Sequence, residues 1–79
     1  MIWVYVLQSR KTKRYYTGST ERLRERVREH NAGECKSTRT GVPWDLVYRK
    51  EYETRIEAVR EERRIKSWGA RRYLDSLTG

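Results

Sequence analysis

The sequence predicts an α+β domain: a small three-stranded, mostly antiparallel sheet flanked by helices, in the order β-β-α-β-α-α. Three observations lead there. The N-terminus is an unbroken run of β-branched and aromatic residues. Two later segments carry apolar residues at helical spacing, and a short alternating segment lies between them. The 79 residues leave room for one domain, 1–79, with a thin core.

Ile2 to Leu7 reads as a strand buried on both faces. Gln8 to Arg14 is a polar turn, and Arg14 to Thr17 a second strand that Gly18 ends. The two make an antiparallel hairpin, although no Asn-Gly or Asp-Gly marks its turn. Ser19 or Thr20 caps a helix running to about Ala32, with Glu21 in the first turn and Gly33 as its stop. Glu34 to Pro43 is a basic, polar loop. In Trp44 to Tyr48, Trp44, Leu46 and Tyr48 alternate with Asp45 and Val47, which predicts a third strand with Trp44, Leu46 and Tyr48 turned inward. Thr54 and Glu57 stand at capping-box spacing and open a long helix to about Trp68, broken by Gly69. Ala70 to Leu77 is a short last helix packing Tyr73, Leu74 and Leu77.

Lys and Arg number 19 against 11 Asp and Glu, a net charge of +8. So strong a field on so short a chain points to a polyanionic partner, with nucleic acid the commonest. Solubility alone is the bland alternative. The bases alternate with acids along the helices and form no basic face opposite a wide apolar one, which argues against a membrane surface. The single cysteine, Cys35, excludes an internal disulfide and a cysteine-based zinc site, and fits a reducing compartment. The apolar N-terminal run is too short for a signal peptide or a membrane span, and the expected location is the cytoplasm.

The second long helix places Ala58, Val59 and Ile65 on one side, and Glu62 falls between them in angle. Glu57 and Glu61 point away from that stripe. A carboxylate turned toward a core is costly unless it is paired or holds a metal; a structural ion pair with an arginine is the competing explanation. On the first helix, Leu23 and Val27 define the inward face, and His30 shares it, with Arg26 four residues before. A lone histidine on an apolar face is more often a satisfied core residue than a ligand. The guanidinium beside it suits phosphate recognition. Tyr5 and Tyr16 lie on the two hairpin strands, where each alone would be a core residue with a polar tip. Together, Tyr5, Tyr16, Arg26, His30 and Glu62 form a set able to cut a phosphodiester, and all five are expected on one concave surface. The set offers a carboxylate anchor for a metal, a base for the attacking water, and positive charge for the transition state.

At these residues the chain resembles the GIY-YIG nucleases. The family's first fingerprint ends in tyrosine, here Trp3-Val4-Tyr5, and its second reads Tyr16-Thr17-Gly18. Its arginine, ten residues after the second tyrosine, is Arg26, and its Tyr or His one turn later is His30. Its glutamate lies in the stretch from Glu57 to Lys66 and aligns with Glu62. Pro43 to Tyr48 also resembles small stand-alone members and the flap and junction nucleases. The chain departs at Trp3, where the family has glycine, at Thr17, and at Ser19, where excision-repair relatives carry lysine.

The resemblance implies hydrolysis of a DNA strand, in repair or recombination, by one divalent metal, Mg²⁺ or Mn²⁺, held by Glu62 and waters. Tyr16 serves as general base, which requires nearby positive charge to lower a phenol's ordinary pKa of about 10. Arg26 and His30 bind the scissile phosphate, and Tyr5 orients the nucleophile or a phosphate oxygen. Most relatives add domains for targeting. None follows in this sequence, which suggests a protein partner in that role. The competing function is a non-catalytic DNA- or RNA-binding module of the same fold, in which Arg22, Arg26, Lys36 and Arg39 carry the binding. A protein-interaction domain, with its charge serving assembly, is a third and weaker reading.

Overall fold

Ile2–Ser9 forms β1 and Tyr15–Thr20 forms β2 in the computed structural model, which describes residues 1–78. Gly79, the last residue of the expected domain, lies outside them. The remaining elements are α1 (Leu23–Asn31), a 3₁₀ turn at Arg39–Gly41, β3 (Trp44–Tyr52), α2 (Arg55–Trp68) and α3 (Ala70–Thr78). The expected α+β order is observed. The three strands form one antiparallel sheet with β1 in the centre, in the order β2-β1-β3.

β1 reads as unbroken apolar sequence because both of its faces are covered. Ile2, Val4 and Val6 turn to one side and pack with Ala58 and Ile65 of α2 and Tyr73 of α3. Tyr5 and Leu7 turn to the other and pack with Leu23 of α1 and Trp44. Val4, Val6 and Leu7 have no exposed surface. Each contributes about 1.5–3 kcal/mol of burial, a large share in a domain with so thin a core.

The hairpin turn is built by Ser9 in place of an Asn-Gly pair. Its hydroxyl is buried, accepts the N–H groups of Lys11 and Thr12, and donates to the Gly41 carbonyl. Lys13 completes the turn at φ 68.

Three boundaries differ from the sequence expectation. β2 continues through Gly18 to Thr20, because Gly18 pairs with Tyr5 and its missing side chain leaves room for the Tyr5 ring. A Cβ there would stand 2.8 Å from the Tyr5 hydroxyl oxygen. α1 starts at Leu23 without a side-chain cap. Thr20 accepts the Arg22 N–H in a turn before the helix, so neither Ser19 nor Thr20 caps it. β3 runs on to Tyr52, and its alternation breaks at a bulge opposite Val6 and Leu7. Leu46 pairs with Leu7 and Tyr48 with Val6, so the two fall on opposite faces, and Leu46 is exposed rather than buried.

The C-terminal half agrees more closely. Thr54 accepts the Glu57 N–H at 3.2 Å, one half of a capping box, while the Glu57 carboxylate accepts from the Thr54 hydroxyl rather than from its backbone N–H. Gly69, at φ 89, ends α2. Tyr73 is buried on α3 and Leu74 half-buried, whereas Leu77, expected to pack with them, is exposed.

Candidate active site at the edge strand

β1 and β2 set the register of the site. Tyr5 pairs with Gly18 and Leu7 with Tyr16, so Tyr5, Tyr16 and Gly18 occupy the α1 face of the sheet. α1 crosses that face with Leu23 inward, and its next turns bring Arg26 and His30 over the tyrosines. The His30 ring centroid lies 4.9 Å from that of Tyr16 and 5.9 Å from that of Tyr5.

His30 has no exposed surface and uses both ring nitrogens. Nε2 is 3.0 Å from the Tyr5 hydroxyl, and Nδ1 is 2.8 Å from the Thr38 hydroxyl. Thr38 donates onward to the Cys35 carbonyl, so its oxygen accepts from Nδ1–H. The lone pair of Nε2 then accepts from Tyr5. The chain Tyr5–His30–Thr38 is complete when His30 is neutral. Burial and the Arg26 charge lower the His30 pKa and keep it neutral, with Glu29 opposing in part. His30 therefore stands behind Tyr5 and does not present a nitrogen to a phosphate, as the sequence expected. Thr38, its second partner, sits in the polar loop, where nothing in the sequence sets it apart.

Tyr5 is also buried. Burial and the neighbouring Tyr16 push its pKa up to about 12, against the opposing pull of Arg26. It stays protonated at neutral pH and can donate, but not accept, a proton. Tyr16 is half-buried and lines a cleft with Arg14, Thr38 and Trp44. Of the two tyrosines, it is the one open to a substrate.

Arg26 is half-exposed. Its guanidinium donates to Glu29 at 3.1 Å and bears on the Tyr5 hydroxyl, and both interactions raise its pKa. Arg22 is exposed and pairs with Glu25 at 3.2 Å. These side chains line an open cleft with Ser19, Thr20 and Arg55, the last contributed by α2. Lys36 and Arg39 are exposed on the loop after α1; Arg39 bonds the Gly33 carbonyl.

Glu62 comes from the other side. α2 packs its Ala58 and Ile65 against Val4 and Val6, the face opposite Tyr5 and Tyr16. The helix that carries Glu62 therefore packs on the face away from Tyr5, Tyr16 and His30, although its Arg55 shares a cleft with Arg26. α2 runs beside β2, because Arg55 meets Ser19 and Thr20 in one cleft and Trp68 meets Tyr15 in another. β2 borders the sheet, and α2, which carries Glu62, packs along it from the face opposite Tyr16. Glu62 pairs with the exposed Lys66 at 2.8 Å. Glu61 does not point away from the core, as expected. Its side chain is the more buried of the two, 14% exposed against 21%, and it accepts a 2.6 Å hydrogen bond from Tyr73.

No group of three or more His, Cys, Asp or Glu side chains suited to a metal occurs among the described residues. A single carboxylate with a displaceable lysine partner still fits a hard divalent cation that keeps its waters and takes substrate phosphate as a further ligand. Glu62 is a carboxylate of that kind. Glu61 is not, since Tyr73 already occupies it.

Among the described residues, no helix is long and apolar enough to cross a membrane. No solved structure matches the chain. A UPF0213 protein of Haloquadratum walsbyi is 42% identical over 67 residues, covering 84% of this chain and 74% of its own. A UPF0213 protein of Staphylococcus haemolyticus is 36% identical over 76 residues, covering 95% and 92%. A model of the GIY-YIG catalytic domain matches residues 1–74, which include both tyrosine fingerprints, the α1 arginine and histidine, and the α2 carboxylates. The chain belongs to the GIY-YIG family.

Proposed function

We propose that this protein is an endonuclease that hydrolyses DNA phosphodiester bonds at the β2 edge, with a role in repair or recombination. The GIY-YIG catalytic domain is that of a nuclease superfamily, and it implies nuclease-type chemistry on a nucleic acid. One observation carries the reading to particular residues: a half-buried Tyr16 stands at the cleft in front of a buried Tyr5–His30–Thr38 relay, with the Arg26 guanidinium beside it.

Each side chain then has a distinct task. Arg26 exchanges Glu29 for a phosphate oxygen of the scissile group. Tyr16 acts as the phenolate, its own proton having gone to solvent in the open cleft, and takes the proton of the attacking water. Tyr5 and His30 hold that arrangement from behind, with Tyr5 as donor. Glu62 is the side chain to hold a divalent ion, Mg²⁺ or Mn²⁺, which when bound supplies positive charge at the phosphate and the leaving oxygen. Arg22, Lys36 and Arg39 hold the flanking backbone.

The opposed placement of Tyr16 and Glu62 counts against any mechanism that needs both on one face. It confines the reading to a substrate lying across the β2 edge. The test is nicking of supercoiled plasmid with and without Mg²⁺ or Mn²⁺, by the wild type and by Tyr16→Phe and Glu62→Gln. Metal-dependent nicking lost in both variants supports the edge site. Nicking that survives Glu62→Gln removes this residue from the mechanism. DNA binding with no nicking under any condition leaves the binding-module alternative.

A further inference from the structure

A second cleft lies beyond the β2 edge, outside the residues described above. It opens where Gly69 turns the chain from α2 into α3, and it has a volume of about 480 Å³. Trp68 and Tyr15 give it aromatic walls, and most of its lining is apolar. Arg71, Arg72 and Asp75 stand at its rim. Trp68 is 44% exposed, unusual for so large an aromatic with an edge contact to Tyr73 on one side only. The Arg64 guanidinium lies 5.4 Å from its ring centre. Beyond Gly69, nothing stands within 4 Å of where a side chain would point, so the mouth is open.

Position connects this cleft to the candidate active site. Tyr15 and Tyr16 are consecutive on β2 and point to opposite faces. Tyr15 lines the Trp68 cleft, and also borders the cleft that holds Tyr16. A strand leaving Tyr16 around the sheet border meets Trp68 next.

We propose that Trp68 and Tyr15 form a stacking site for an unpaired nucleobase, with Arg64, Arg71 and Arg72 holding the backbone of the same strand. Arg71 and Arg72 against Asp75, with Arg64 over the Trp68 ring and paired to Glu61 at 3.8 Å, favour a polyanion, and an aromatic wall with an apolar lining favours a base over a phosphate alone. A duplex keeps its bases stacked on one another and cannot use such a face. The inference extends the nuclease reading: it assigns the protein a nucleic acid with an unpaired arm beside the cut.

Binding measured by fluorescence anisotropy, without divalent metal, tests this on the full chain. The probes are a labelled single strand, a forked duplex with one unpaired arm, and a blunt duplex of the same length and salt. The wild type should prefer the first two. Trp68→Ala should weaken both about ten-fold and leave the blunt duplex within two-fold, while Trp68→Phe restores them. The single strand should also quench tryptophan emission more strongly in the wild type than in Trp68→Phe, which keeps Trp3 and Trp44. Equal binding of all three probes by Trp68→Ala and wild type would overturn the proposal, as would equal weakening of all three at an unchanged melting temperature. Should Trp68→Ala be destabilised, the double variant Arg71→Ala/Arg72→Ala serves instead, with the same selective loss expected. Failure here with plasmid nicking intact sinks only the stacking site, whereas a wild type that binds none of the probes sinks the nuclease reading as well.

Discussion

The Tyr5 hydroxyl and His30 Nε2 are 3.0 Å apart, and both residues are buried beneath α1. The bond requires neutral His30, which gives it a pH signature. Burial lowers the folded-state pKa of His30 below the ordinary value of about 6.5. The unfolded chain therefore binds the proton first as pH falls. The stability tied to neutral His30 is fully present above about pH 6.5 and is lost as pH drops through the folded pKa. The melting temperature should fall between pH 7 and pH 5, and His30→Gln should flatten that slope. Thermal denaturation across pH checks both.

Tyr16→Phe and Tyr5→Phe should separate. Tyr16 makes no hydrogen bond that its loss would strand, so Tyr16→Phe should remove nicking and leave the melting temperature within a few degrees. Tyr5→Phe leaves the buried His30 Nε2 without its partner and should cost about 1–3 kcal/mol of stability. Denaturant titration beside a nicking assay separates the two.

The adjacent carboxylates of α2 should behave oppositely. Glu61→Gln weakens the 2.6 Å bond from Tyr73 and should cost up to about 1.5–3 kcal/mol, with the catalytic groups in place. Glu62→Gln loses only an i,i+4 pair with an exposed lysine, about 0.3–0.5 kcal/mol, and should abolish metal-dependent nicking. A Glu62→Gln variant with a large drop in melting temperature and full nicking would make Glu62 structural.

Gly18→Ala places a methyl group 2.8 Å from the Tyr5 hydroxyl oxygen. Tyr5 is fixed by His30 and cannot swing aside, so the strain should cost about 1–3 kcal/mol. Nicking should fall with it, because β2 must shift and carries Tyr16 with it.

Affinity for duplex DNA should drop steeply with salt and vary little with sequence. If about five phosphates are neutralised, log K should fall against log salt with a slope of roughly −4 to −5. A flat response would favour a protein partner for the +8 charge.

The elements whose signals are local were legible in the sequence. Thr54 and Glu57 announced α2, Gly69 its end, and the apolar run from Ile2 to Leu7 the central strand. Long-range effects were not legible. The bulge that sends Leu46 and Tyr48 to opposite faces depends on how β3 pairs with β1. Gly18 reads as a strand stop, yet it is a space reserved for Tyr5, thirteen residues earlier. Tyr5, Tyr16, Arg26 and His30 were correctly placed on one face, because strand alternation and helix periodicity determine it. The wheel could not say which face of the sheet would receive Glu62, because that depends on how α2 crosses the sheet. Nor could it show that Tyr73 would claim Glu61.

β3 borders the sheet for nine residues, and its outer backbone groups lack a strand partner. A border that long can template a second chain, and Leu46 and Val47 on it are exposed. Arg49, Lys50 and Glu51 follow on the same strand, and charges so placed discourage such pairing. Mutual repulsion between copies of +8 adds to that protection only at low ionic strength. Raising the salt thus removes a guard against self-association, and purified stocks should keep best when dilute and at low ionic strength.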